Sequence, residues 1–254
     1  MNSQEVLSQE ENLKEKKGLT GSSLKLIAIV TMLIDHMAAG LLMRYINAGP
    51  EYVIFWKVLY SIMRCIGRIA FPIFCFMLIE GFFHTRSVTK YARRLGLFCI
   101  LSEVPFDYCF FGKFYMGYQN VFFTLLIGLL TIAVIEQIKK RGLSKPVTVT
   151  LTIIAAIAGM VLAELLHTDY SANGIFCIVI LYLFHANRAT QILAGILAFL
   201  FEAPFAQIGF IPIHFYNGKR GLHIKYLYYF FYPVHLAIIY AVVCLCHLQA
   251  YPAM

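Results

Sequence analysis

Apolar residues run along this chain in blocks of about twenty, broken by short polar segments, and the blocks set the elements. The first runs from Leu24 to Arg44, with Gly21-Ser22-Ser23 before it as a helix start. The next apolar stretch, Tyr52 to Phe83, is too long for one crossing. At 1.5 Å per residue it would reach roughly 45 Å, against about 30 Å of hydrocarbon. Its first part carries Trp56, Lys57 and Tyr60, an interfacial composition, so the pattern predicts an interfacial helix near 52–63 and a span from about Arg64 to Phe83. Further spans are expected near 92–111, 118–138, 147–166, 172–187, 190–209 and 226–247. The expectation is an all-α, polytopic integral membrane helical bundle of about eight transmembrane helices, with eight to ten compatible with the pattern. No internal repeat of 20–50 residues is evident.

Composition strengthens the membrane reading. Hydrophobic residues make up 60% of the 254 positions and charged residues 13%, whereas soluble domains carry roughly 45–50% and about 25%. Residues 1–22 read as a polar N-terminal tail rather than a signal peptide, and 23–254 as a single membrane domain. The net charge of +8 sits mostly between apolar runs, which points to membrane orientation and away from nucleic acid. A cytoplasmic N-terminus puts Lys14, Lys16, Lys17, Arg86, Lys90, Arg93, Arg94, Lys139, Lys140, Arg141, Lys145 and Arg188 inside, with both termini cytoplasmic. The Lys219-Arg220 loop is then an exception, on the outer side with Arg44, Lys57 and Lys113. The seven cysteines show no CxxC pair and read as small core residues, not a disulfide framework or zinc site.

Several side chains do not belong in lipid. A charge at mid-membrane costs at least about 2.5–3.5 kcal/mol, so each needs a partner or a water-filled cavity. Asp35 and His36 lie in the middle of the first span; Arg64 and Arg68 share a face of the second, and Asp35 is the expected partner of Arg68. Glu80 and His84 stand one turn apart, as do Glu103 and Asp107 around Pro105, and His235 follows Pro233 in the last span. Any one could staple two helices; the set together predicts a lined polar cavity. His36 is the mid-membrane group whose ordinary pKa suits proton abstraction. His84, Arg86, Lys90, Arg93 and Arg94 form a basic mouth able to hold coenzyme A phosphates, although positive-inside topology also accounts for them. There is no Gly-rich phosphate loop, no Ser nucleophile elbow and no HExxH, and no metal is expected, Glu80 with His84 being a weak pair.

The runs LKLIAIVTMLIDHMAAGLL, RCIGRIAFPIFCFMLIEGFFHTRS, KYARRLGLFCILSEVPFDYCF and NVFFTLLIGLL, with DYSANGIF and the closing FFYPVHL, resemble the TraX family from about Leu24 to Leu236. That family is named for a conjugation protein that N-acetylates pilin subunits in the bacterial inner membrane. The resemblance implies an acyltransferase using acetyl-CoA as cosubstrate, and a distant kinship with transmembrane acyltransferases that modify sugars, in which a first-helix His is catalytic. By that carry-over His36 is the site residue, with Asp35, Arg68, Glu80, His84, Arg86, Glu103, Asp107 and His235 at matching positions. Ser171 stands where the family pattern has Gly.

The expected function is therefore acetyl transfer from cytoplasmic acetyl-CoA to an acceptor at or across the bilayer. The acceptor is a protein N-terminus, a glycan or a small molecule. His36 is the base, with Asp35 and Arg68 in support; Arg64, Glu80, Glu103, Asp107 and His235 are further cavity candidates. A transporter or channel using the same polar cavity, and a structural assembly factor, are the alternatives.

Overall fold

The computed structural model describes residues 18–200, 205–222 and 225–253. Most of the expected N-terminal tail therefore lies outside the described residues. All regular elements among them are helical: α1 Gly21–His36, continued by a π-helical turn Met37–Leu42 and by Met43–Asn47; α2 Val53–Gly67; α3 Ala70–His84; α4 Val88–Phe111; α5 Val121–Lys140; α6 Lys145–Leu165; α7 Ser171–Leu183; α8 Arg188–Phe199; α9 Phe210–His214; and α10 Lys225–Leu245. Five segments are long and apolar enough to cross a membrane: Gly21–Asn47, Val53–His84, Val121–Lys140, Lys145–Leu165 and Leu227–Leu245. Ser171–Leu183 and Arg188–Phe199 are shorter apolar helices. The chain is a multi-pass, all-α membrane bundle.

Local chemistry explains the elements. Thr20 caps α1, its hydroxyl accepting from the Ser23 N–H at 3.2 Å. α3 is apolar all round, burying Phe71, Ile73, Cys75, Phe76 and Ile79, and forms the centre of the bundle. α6 buries only Gly159 and Ala163. These small residues let it approach α5 closely while its other faces meet lipid. Gly40, in the π turn, serves the same purpose. A Cβ there would stand 2.7 Å from the Cys109 sulfur and 3.1 Å from Ile239, so α1, α4 and α10 converge on that glycine.

The segment 52–83 divides into two helices that together make one candidate span, Val53–His84, rather than an interfacial helix followed by a span; the break falls at Arg68 and Ile69, so Arg64 closes α2 rather than opening α3. α2 begins beside the end of α1, Trp56 against Tyr45, and descends along it until Arg64 reaches Asp35. Asp35 is near the middle of the 27-residue first span, so the α2–α3 break lies at mid-depth.

The expected spans appear as eight apolar segments, but 190–209 does not cross. α8 enters from Arg188, and the residues following 204 turn back. Gly209 packs on the Ile69 carbonyl and Pro72 at the head of α3, and Tyr216 lies 5.2 Å beneath the Arg188 guanidinium at the face where α8 began. The hairpin is re-entrant. The Leu19 N–H donates to the Phe215 carbonyl at 2.8 Å and the Gly21 N–H to the Lys219 carbonyl at 2.8 Å, so residues 215–222 sit at the start of α1. α10 therefore runs parallel to α1. At its far end Arg44, 2% exposed, donates to the backbone carbonyls of Tyr251 and Cys109. Residues 18–21 and 251–252 lie at opposite ends of the bundle. The same turn removes the anomaly of Lys219 and Arg220, which join Arg86, Lys90, Arg93, Lys139, Lys140, Arg141, Lys145 and Arg188 on one basic face.

Candidate functional site

His36 and His235 meet across the bundle. The Nδ1 of His36 is 2.7 Å from the Nε2 of His235, and the rings are parallel within 3° at a centroid distance of 5.0 Å. That is the edge-to-edge geometry of an in-line N–H···N hydrogen bond. The tautomers follow from the next link. His235 Nδ1 lies 2.6 Å from the Phe231 carbonyl, an acceptor only, so Nδ1 carries the proton and Nε2 of neutral His235 is an acceptor. His36 must then donate through its own Nδ1, which leaves a lone pair on its Nε2. Phe110 and Tyr232 hold the His36 ring edge-on, with centroids at 5.5 Å and 5.7 Å. The π-helical turn begins at the residue after His36, and such turns recur at functional sites because they shift the register of the following side chains.

Asp35 does not pair with Arg68. Its partner is Arg64, Nη1 to Oδ2 at 2.6 Å. The reason is the break after Gly67: Arg68 is the C-cap of α2, no longer on the helix face that meets α1. A Cβ on Gly67 would collide with the Asp35 side chain, so glycine is required for the carboxylate to reach Arg64. Arg68 instead donates to the Tyr170 hydroxyl and lies within electrostatic reach of Asp35 and Asp169.

Arg68 belongs to a cleft of about 270 Å³ lined also by Tyr118, Thr168, Asp169, Tyr170, Ser171 and Asn173. The loop between α6 and α7 supplies most of this lining. It is held against the head of α5 by Gln119 N–H to His167 O at 3.0 Å and Asp169 N–H to Gln119 O at 2.8 Å, and by the Thr124 hydroxyl on the Asp169 carbonyl. Tyr170 stacks on Phe71 at 3.5 Å between centroids. The Tyr118 hydroxyl donates to Asp169 Oδ1 at 3.2 Å. Burial, reinforced by the negative charge of Asp35, pushes the Asp169 carboxyl up to about 6 against the opposing pull of Tyr118, Arg68 and Arg64. Thr168, Asp169 and Tyr170 escape a reading confined to apolar blocks, because a loop residue gives no signal of burial. The Asp-Tyr-Ser-Ala-Asn-Gly turn is their only mark in the sequence.

The remaining candidates separate by role. Glu103 accepts from Asn120, the N-cap of α5. Asp107, fully buried, accepts from the Tyr115 N–H at 2.9 Å and shapes the loop after α4. Glu80 pairs with Arg188 at 3.5 Å. His84 Nδ1 donates to the Glu80 backbone carbonyl at 2.7 Å, so Glu80 and His84 do not aim at a common point. Arg86, Lys90, Arg93 and His84 are exposed on the basic face. Arg94 is half-buried, its guanidinium 5.4 Å from the Tyr91 ring and bonded to Tyr229, and so is engaged within the bundle. The structure thus brings His36, His235, Asp35, Arg64 and Arg68 to mid-depth and leaves His84, Arg86, Lys90 and Arg93 at the surface.

The sequence pattern of the family described as "TraX protein" matches residues 20–243, which takes in every group named above. A protein of Dichelobacter nodosus named "Probable fimbrial assembly protein FimC, serogroup H1" is 29% identical over 246 residues, covering 85% of this chain and 92% of the relative. No solved structure matches.

Proposed function

This chain belongs to the TraX family, and from that premise we propose that it is a membrane-embedded acyltransferase in which His36 is the general base. The observation that supports the role is the hydrogen-bond chain Phe231 carbonyl, His235, His36, with its lone pair on His36 Nε2. A base of this kind takes the proton of an acceptor hydroxyl or amine as the acyl bond forms, and the neutral His235 behind it fixes the tautomer that can do so. Arg64 with Asp35 offsets charge beside the imidazole. Arg68 makes no ion pair among the described residues and is the cation available to negative charge developing on the acyl oxygen.

Acetyl-CoA is the proposed donor. The donor set on the basic face suits its phosphates: exposed Arg86, Lys90 and Arg93 lie on one turn and the first turns of α4. Arg94 is left out of this role because Tyr91 and Tyr229 engage it. With the basic face cytoplasmic, as the positive-inside rule has it, the donor is met at the inner side of a bacterial inner membrane. Residues 18–21 are then inside and the C-terminus outside. The name of the Dichelobacter relative, a fimbrial assembly protein, makes an envelope or surface acceptor the class to look for first.

Purified protein in lipid nanodiscs, given acetyl-CoA and a membrane extract as acceptor source, is expected to release free coenzyme A. The Arg86→Ala/Arg93→Ala variant is expected to raise the KM for acetyl-CoA about tenfold or more, as lost charge-assisted contacts do. Ion or metabolite flux through proteoliposomes with no coenzyme A release would replace this reading with that of a transporter.

A further inference from the structure

The cleft between the α2–α3 break and the α6–α7 loop faces away from the basic side, and its walls are unusually fixed. Three non-glycine residues within five positions take left-handed backbone angles: His167 at φ 48°, Tyr170 at 67° and Ser171 at 43°. Each such position costs of order 1–3 kcal/mol and persists only where the surroundings over-determine it, most often at binding sites. The Gln119 backbone and Thr124 supply that constraint here. Within this fixed wall Thr168 is 1% exposed and its hydroxyl has no hydrogen-bond partner among the described residues. An orphaned buried hydroxyl lining a cleft is a group prepared for a ligand oxygen or nitrogen.

The charges select among ligands. Arg68 and Asp169 both line the cleft, so its net charge is zero. An anion drawn to Arg68 would meet Asp169, with Asp35 in electrostatic reach; a cation drawn to Asp169 would meet Arg68. A neutral ligand rich in hydroxyls uses every group at once. One hydroxyl donates to Asp169, another accepts from Arg68, and Thr168, Ser171 and Asn173 give or take as the hydroxyl rotors require. The cleft's volume, near the lower end of small-molecule sites, suits one sugar ring rather than a folded polypeptide.

We propose that this cleft is a binding site for a neutral, polyhydroxylated acceptor, a single sugar unit, held by Arg68, Thr168, Asp169 and Asn173. The inference rests on the acyltransferase reading only in calling the ligand an acceptor. Tyr232, edge-on to the His36 ring at 5.7 Å, is in electrostatic reach of Asp169, which places the cleft beside the base.

Binding is measurable without an acyl donor, which separates this proposal from the reaction. The full chain in nanodiscs is titrated by ligand-observed NMR and thermal shift. The probes are glucose and N-acetylglucosamine as neutral sugars, glycine as a zwitterion and inorganic phosphate as an anion. Saturable binding of a neutral sugar is expected, weakened at least tenfold by the near-isosteric Thr168→Val. It is also expected to weaken in Asn173→Ala, a substitution at an exposed position. Binding of glycine or phosphate in preference to both sugars would overturn the proposal. So would sugar binding that survives both variants, or no binding by either sugar. Sugar binding without acyl transfer would leave the cleft assigned and remove the acyltransferase reading instead.

Discussion

His36 and His235, 199 positions apart in the chain, share one hydrogen bond of 2.7 Å, and the Phe231 carbonyl behind His235 determines its direction. Two buried imidazoles in line, the second closed by a carbonyl, leave one basic nitrogen at the end of the chain. The pair ties the first helix to the last, because α10 runs parallel to α1 and brings His235 to the same depth.

Two substitutions separate base from orienter. His36→Gln is expected to lower the acyl-transfer rate by about 10²–10⁴-fold, the usual contribution of a general base. His235→Phe keeps the ring against Tyr232 and Phe231 but removes the acceptor for His36 Nδ1. It is expected to reduce kcat by a smaller factor, leave the KM for donor unchanged, and shift the acid limb of the pH–rate profile. Equal losses of expressed, folded protein in both variants, seen by size-exclusion chromatography, would reduce the pair to a helix staple.

The Asp35–Arg64 pair makes a stability prediction. Asp35→Ala leaves Arg64 uncompensated near mid-depth, and breaking a buried pair on one side costs up to about 3–5 kcal/mol. Gly67→Ala is expected to act in the same direction, since its Cβ would occupy the place of the Asp35 carboxylate. Thermal unfolding in detergent checks both: each midpoint should fall, and combining the two should cost less than their sum.

The re-entrant hairpin predicts a topology. Gly218→Cys, beside Lys219 and the start of α1, should react with a membrane-impermeant maleimide from the cytoplasmic side, and the exposed native Cys246 from the outer side. If α8 crossed fully and α10 ran antiparallel to α1, the two would exchange sides.

Much of this fold was legible in the sequence, because span length and composition are set by the bilayer itself. What escaped was direction. Residues 190–209 are as apolar as a span, and nothing in periodicity distinguishes a crossing from a hairpin whose two arms bury each other. Whether 190–209 crosses sets the direction of the last helix and the side on which Lys219 and Arg220 sit. Arg44 reads as the cation closing the first span, and the carbonyls of Tyr251 and Cys109 reveal it as a staple. At the site, His36 and His235 were legible as intramembrane histidines but their contact was not, being 199 residues distant. The Asp35–Arg68 pairing failed for a local reason: a helix that ends at Gly67 turns its next residue away.

A pH experiment isolates Asp169. Its carboxyl is pushed up to about 6 from an ordinary 3.8. Between these values the folded protein keeps a proton that the unfolded chain has released, so stability is fuller at the acid end and is lost as pH rises through the window. Unfolding midpoints measured from pH 4 to pH 7, about the span of that window, should decline more steeply in the wild type than in Asp169→Asn.

The central claim is that His36 drives acyl transfer to envelope material. The direct measurement is an unbiased mass-spectrometric comparison of the cell envelope from cells carrying the wild-type chain or His36→Ala at equal membrane abundance. An acetylated species present with the wild type and absent with His36→Ala is the expected result. The same acetylated species in both, or in neither, would contradict it.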